Sequence, residues 1–231
     1  MTIQHKPIEL YYSATPNGRK ITIMLEELGA PYNMNYVRIS RGEQFTPEFL
    51  AISPNNKIPA IVDPEGPGGE PISIFESGAI LKYLGTKYGR FYPADARAQI
   101  RVDEWLFWQV AGFGPLLGQA AHFLHDAATR EAYAVQRFTN EAHRLYRVLN
   151  TRLKARDYVA GDYSIADMAI FAWALRNHRH GIDIAEFPDV VDWIERIGAR
   201  PAVSKALAIP EPQPVNLATD KEAQKVLFNQ R

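Results

Sequence analysis

Near residue 90 the chain changes its pattern, and that change limits the fold more than any single motif does. Ahead of it, short strand-like runs alternate with helical ones. "IELYYS" (8–13) is apolar and aromatic, as a strand requires. A helix follows, with Thr15 as its cap, Pro16 at its first position and Gly29 just past its end; Ile21, Met24, Leu25 and Leu28 recur at helical spacing. "YNMNYVRI" (32–39) reads as a second strand and "TPEFLAI" (46–52) as a short helix. "IPAIVD" (58–63) and "ISIF" (72–75) read as strands joined by the turn-rich "PEGPGGEP", and "ESGAILKYLGTKYG" (76–89) as a closing helix. The order β-α-β-α-β-β-α implies a parallel crossover followed by a hairpin.

Beyond residue 90 the reading is helical almost throughout. "RAQIRVDEWLFWQVAGFGPLLGQAAHFL" makes one long element with a kink expected at Gly112-Phe113-Gly114-Pro115. Residues 130–153 give a second helix. "SIADMAIFAWALRNH" (164–178) is apolar nearly all round, the mark of a buried helix, and Ser164 with Asp167 fits a capping box. Residues 189–200 add a helix that ends at Pro201. "PEPQPV" (210–215) reads as an extended linker leading to a short helix from Thr219, with Glu222 in the capping-box position. The expected architecture is an α/β domain over 1–90, an all-helical domain over 91–209 and a tail over 210–231.

Composition narrows the function classes. With 26 basic and 26 acidic residues, and balance on both sides of residue 90, the chain lacks the basic stripe of a nucleic-acid binder. The segment MTIQHKPIEL has no apolar signal core, and no stretch is long enough to span a bilayer, so no membrane partner and a cytoplasmic setting are expected. There is no cysteine, which removes disulfides, thiolate metal sites and a redox thiol of the protein's own. His122 and His125 are spaced for a metal but lack a third ligand, so no metal site is expected. Trp105, Phe107 and Trp108 suit a core or a groove wall.

Three junctions carry possible chemistry. Helix N–H groups beyond Thr15-Pro16-Asn17-Gly18 suit an anion, although a plain cap explains the same residues. Ile58-Pro59 starts a strand, where proline is tolerated, and the trans isomer is the default. Ser77 is a good N-cap after Glu76; Ile80 stands where a reciprocal Glu or Gln would be, which leaves the hydroxyl available to a carboxylate.

All three junctions fall in one β-α-β-α-β-β-α unit, and with them the sequence resembles the cytosolic glutathione transferases over about residues 8–208. "TPNGRKITIMLEEL", "SPNNKIPAIVD" and "WLFWQVAGFGPLLGQ" are most similar to the bacterial Nu class, related to the yeast prion-forming nitrogen regulator. The resemblance implies a thioredoxin-like domain followed by a helical domain, with glutathione as co-substrate. It implies a cis Pro59 and an Ile58 main chain that pairs with the cysteinyl residue. Glu76 and Ser77 would hold the γ-glutamyl end, Gln44 and Lys57 would lie near the glycyl end, and Arg137 would reach across a homodimer. Tyr11 is a tempting activator of the sulfur, but the class pattern points to Thr15 and Asn17. The implied activity is thiol–disulfide exchange by bound glutathione. Conjugation to electrophiles, reduction of organic peroxides and a non-catalytic interaction module are the alternatives.

Overall fold

The computed structural model describes residues 6–212, 215–217 and 219–228. The chain divides into two compact units, one of residues up to Leu84 together with those from Lys205, the other Gly85–Ser204. The described residues of the tail over 210–231 group with the first unit.

In the first unit, β1 (Ile8–Tyr12) and β2 (Tyr32–Tyr36) run parallel across helix α1 (Pro16–Leu28). The antiparallel strands β3 (Ala60–Asp63) and β4 (Ile72–Phe75) complete a sheet of order β2-β1-β3-β4. This is the crossover and hairpin expected of the pattern. β1 alternates buried and half-buried residues, with Leu10 and Tyr12 inside, as a strand covered on one face does. Ile21, Met24 and Leu25 of α1 are buried, as their spacing predicts. Gly29 ends the helix in the left-handed conformation (φ 64°), where its lack of a Cβ costs nothing. β3 starts at Ala60 rather than Ile58, because Pro59 has no N–H for the ladder. Between β2 and β3 the expected helix contracts to α2 (Pro47–Leu50), preceded by 3-10 turns at Ile39–Arg41 and Glu43–Phe45. Helix α3 (Ser77–Tyr88) follows β4.

Gly18 is required at the start of α1. A Cβ there would run into the Ser13 carbonyl oxygen and touch the Tyr12 ring. Gly18→Ala is expected to cost about 2 kcal/mol and to shift the helix start, read as a lower denaturant midpoint.

The second unit is helical. α4 (Ala96–Trp108) and α5 (Gly114–Ala121) are joined by a π turn, Gln109–Phe113, at the expected kink. Pro115 has no N–H for the regular ladder, and the wider turn makes room for its ring. A second π turn, His122–Asp126, holds the two histidines. α6 (Ala132–Leu153) packs along α5. α7 (Ile165–Ala174) is buried at every residue but Trp173, and its capping box closes with Asp167 Oδ2 accepting the Ser164 N–H at 3.1 Å. α8 (Pro188–Gly198) comes next, and Pro201 opens a further helix, α9 (Pro201–Leu207), instead of only closing the one before. Phe107 is exposed, unlike its neighbours Trp105 and Trp108, whose rings meet edge to face. His180 is a core residue hydrogen-bonded to the Tyr146 hydroxyl; burial lowers its pKa to about 3, so it is neutral.

From Lys205, within α9, the chain belongs to the first unit again. Gln213 and Pro214 of the expected linker lie outside the described residues, as do residues 1–5 of the segment expected to lack an apolar signal core. The last helix, α10 (Lys221–Phe228), begins two residues later than expected, with the Asp220 carboxylate, not Thr219, accepting the Ala223 N–H at 2.9 Å.

Candidate functional site

Strand register alone gathers the candidate residues of the first unit. Tyr11 pairs with Ala60 and Ala60 with Phe75, so the end of β1, the start of β3 and the end of β4 share one edge of the sheet. Tyr12 pairs with Tyr36, which brings the end of β2 and its loop to the same edge. Thr15 and Asn17, Ile58 and Pro59, and Glu76 and Ser77 all follow or precede these paired residues by a few positions. Sequence separations of roughly 20 to 60 residues are thereby closed.

Thr15 caps α1, its Oγ1 accepting the Gly18 N–H at 3.2 Å. A hydroxyl has one proton to give, and accepting the Gly18 N–H leaves that proton for another acceptor. Asn17 sits half-buried at the second helical position. Together they place two side-chain donors at a helix N-terminus, where partial positive charge favours an anion. Tyr11 turns its ring against Phe49, centroids 6.1 Å apart, and Tyr12 is buried with its pKa raised by desolvation; both are strand residues.

The Ile58-Pro59 bond is cis. Ile58 lies just beyond the paired residues of β3, so its main chain is not committed to the ladder and stands as an edge for an extended peptide. The Ser53 hydroxyl donates to the Lys57 carbonyl at 2.8 Å and fixes the approach to that edge.

Glu76 has a φ of 70°, uncommon for a residue with a Cβ and a mark of a constrained position. Its carbonyl accepts the Ile80 N–H at 2.9 Å, the first bond of α3. Ser77 is therefore within the first turn rather than its cap, and Glu76 stands in the cap position. The backbone N–H groups of that turn and the Ser77 hydroxyl form one donor cluster, with the exposed Glu76 carboxylate beside it. Asn55 Nδ2 donates to Glu76 at 3.4 Å. A carboxylate acceptor next to a nest of donors is the complement of an amino acid's ammonium and carboxylate.

The other candidates differ in setting. Lys57 is exposed. Gln44 is 2% exposed, and its Nε2 donates to the Ile39 carbonyl at 3.0 Å while its Oε1 has no hydrogen-bond partner. It packs as a residue that holds the loop. Arg137 belongs to the second unit, exposed along a groove of about 730 Å³ on α6 with Tyr133, Glu141, Arg144 and Arg147.

Two residues of this edge carried no expectation. Lys20, in the second turn of α1, is 1% exposed, and its Nζ donates to Ser77 Oγ at 3.1 Å. Its spacing puts it on the face of Ile23 and Met24, a cation in a buried stripe, which is the signal that marks it. Glu211 returns from the tail to accept the Ala14 N–H at 2.8 Å and the Ser13 hydroxyl at 3.4 Å. With Ile39, Leu217 and Leu227 it borders a cavity of about 210 Å³ that Thr15 lines. The tail is further held by Arg19, which donates to the Leu207 carbonyl at 3.1 Å, by Lys205 with Glu26 at 2.7 Å, and by Arg41 with Asp220 at 2.9 Å. Nothing in a proline-rich stretch announces Glu211.

Among the described residues, no His, Cys, Asp and Glu cluster is arranged to hold a metal ion, and no helix is long and apolar enough to cross a membrane.

Comparison with known proteins gives the family. A family model described as glutathione S-transferase, N-terminal domain, matches residues 14–87, and one described as glutathione S-transferase, C-terminal domain, matches residues 113–201. The chain is 51% identical over 202 residues to disulfide-bond oxidoreductase YfcG of Escherichia coli, covering 87% of this chain and 94% of that one. It is 35% identical over 248 residues to transcriptional regulator URE2 of Saccharomyces cerevisiae, covering 88% and 69%. The crystal structure of a glutathione transferase family member from Pseudomonas fluorescens, with two glutathione molecules bound, superposes with a TM-score of 0.85 at 42% identity, covering 91% of this chain and 96% of that one.

Proposed function

The chain belongs to the glutathione S-transferase family, and from that premise we propose that it is a glutathione-dependent disulfide-bond oxidoreductase whose nucleophile is the thiolate of bound glutathione. The observation that carries this is the placement of Thr15 as the cap and Asn17 at the second position of α1, at a helix N-terminus, in a protein that has no cysteine. Ile58 pairs with the cysteinyl main chain and so sets the sulfur toward that helix start. Glu76 takes the ammonium of the γ-glutamyl end and Ser77 its carboxylate. Lys57 meets the glycyl carboxylate as an exposed, weakly contributing charge. Gln44 supports it from the loop, and Arg137 reaches a second subunit of a homodimer. A glutathione-rich, reducing compartment such as the cytoplasm suits this chemistry.

A free thiol has a pKa near about 8.5, so little of it is thiolate at neutral pH. Lowering that value by two requires about 2.7 kcal/mol of preference for the anion. One charge-assisted hydrogen bond contributes about 1.5–3 kcal/mol and a helix terminus about 0.3–1 kcal/mol, so Thr15, Asn17 and α1 suffice. The thiolate attacks one sulfur of a disulfide, forms a mixed disulfide and expels the other sulfur as thiolate. A second glutathione thiolate then attacks the glutathione sulfur of the mixed disulfide, giving oxidised glutathione and the second reduced thiol.

Calorimetry with glutathione, followed by steady-state reduction of a low-molecular-weight disulfide, tests the proposal. Binding with turnover is the expected result. Binding without disulfide turnover, but with turnover of an aryl halide or an organic hydroperoxide, would assign the site to conjugation or peroxide reduction. No binding at all would make the chain an interaction module.

A further inference from the structure

We propose that Lys20 is a positioning residue for glutathione binding: held beneath Ser77, its ammonium makes the Ser77 hydroxyl an obligate donor to the γ-glutamyl carboxylate. The inference rests on the assignment of Ser77 to that carboxylate and names a residue that acts through it.

The argument starts from what each group can do. An ammonium donates and has no acceptor, so in the 3.1 Å contact Ser77 Oγ must be the acceptor. One acceptor position of the hydroxyl is then filled by Lys20, and its single proton is left for a different acceptor. Ser77 is 6% exposed, so water does not compete freely for that geometry. The relation repeats the one at Thr15, where the Gly18 N–H fills an acceptor position and leaves the hydroxyl proton for another acceptor. In both, a donor from within α1 sets a hydroxyl to receive an anion.

The charge of Lys20 is conditional. Burial lowers its pKa to about 7, and the field of Glu76 pulls it partly back. The charged groups on the adjoining strands are engaged elsewhere: Glu9 of β1 accepts from Asn33 and Asn35, and Asp63 of β3 from Tyr83. Lys82 and Lys87 lie further along α3, and Arg19 of α1 is turned to the Leu207 carbonyl. A neutral amine can accept the Ser77 proton, which reverses the hydrogen bond and removes that donor. Arrival of a carboxylate favours the ammonium. The Lys20 pKa then rises on binding, with a proton taken up wherever the pH lies between its free and bound values.

The test uses S-methylglutathione, which has no thiol to ionise, and isothermal titration calorimetry of the whole protein and of Lys20→Met between about pH 6 and pH 8. For the wild-type protein, affinity is expected to fall across this window. The binding enthalpy near pH 7.5 should also depend on the buffer, reporting uptake of a fraction of a proton. Lys20→Met should bind about tenfold more weakly at the acid end, with a flat pH profile and no proton uptake, while its melting curve stays cooperative. A wild-type protein that binds the ligand with no pH dependence and no proton uptake would overturn the inference, whatever the variant does. So would a Lys20→Met profile that matches the wild type. Either result leaves the assignment of the site standing, because binding is then intact. A wild-type protein that does not bind S-methylglutathione fails the assignment itself, and this inference with it.

Discussion

Asn17→Ala is expected to slow glutathione-dependent disulfide reduction by roughly 10- to 150-fold, the factor equivalent to a charge-assisted hydrogen bond of about 1.5–3 kcal/mol. The loss should fall on kcat more than on the affinity for glutathione, since the γ-glutamyl and cysteinyl contacts are made elsewhere. A thiolate absorbance titration of bound glutathione should show the sulfur ionising at higher pH than in the wild-type protein. Asn17 is the better position to test than Thr15. Replacing Thr15 also removes the cap of α1, which by itself costs about 0.5–2 kcal/mol and displaces the helix start. A rate and an ionisation equal to the wild type would remove Asn17 from the mechanism and leave the helix terminus and Thr15 as the field that holds the anion.

Asp167→Ala should give the largest loss of stability, on the order of 4 kcal/mol, because one fully buried carboxylate serves four donors. It accepts the Val159 N–H at 3.0 Å and the Trp193 indole N–H, the Ser164 N–H and the Ser164 hydroxyl, each at 3.1 Å. Alanine leaves these groups buried without an acceptor and also opens the capping box of α7. For a chain of this length the melting temperature should fall by about 8–16 °C. Burial raises the Asp167 pKa from 3.8 to about 6 despite the four donors. As pH rises, the unfolded chain therefore releases this proton first, and the group's contribution to stability, complete below about pH 4, is lost as pH approaches about 6. The wild-type protein should show that decline in chemical melts, and Asp167→Ala should lack it. A variant that melts with the wild type at every pH would mean the four donors find other acceptors.

Most of the fold was legible because its signals are local. The cap and proline at Thr15-Pro16, the Gly29 stop, the apolar spacing of α1 and the all-round apolarity of α7 each act within a few residues, and the structure places them as the pattern implies. Boundaries that moved did so for backbone reasons. Pro59 cannot join the ladder, Pro201 starts a helix as readily as it ends one, and the Asp220 carboxylate caps α10 in place of Thr219. The edge that gathers Thr15, Ile58 and Ser77 was legible through strand order, since a crossover and a hairpin fix which ends coincide. Individual side-chain settings were not. Gln44 is buried on the Ile39 carbonyl, and Phe107 is exposed between two half-buried tryptophans, because each depends on neighbours distant along the chain. Lys20 and Glu211 escaped for the same reason. A buried lysine is intelligible only once Ser77 is known to lie 57 residues ahead and 3.1 Å away.

The return of Glu211 to Ala14 ties two stretches 197 residues apart to one another at the mouth of the helix capped by Thr15. Trimming by a protease after Pro210 would leave the Thr15, Ile58-Pro59 and Glu76-Ser77 junctions intact and still strip a negative charge from beside that mouth. A bulky group attached to α10, which rests on the Ile39–Arg41 turn, would burden the very corner where turnover is measured.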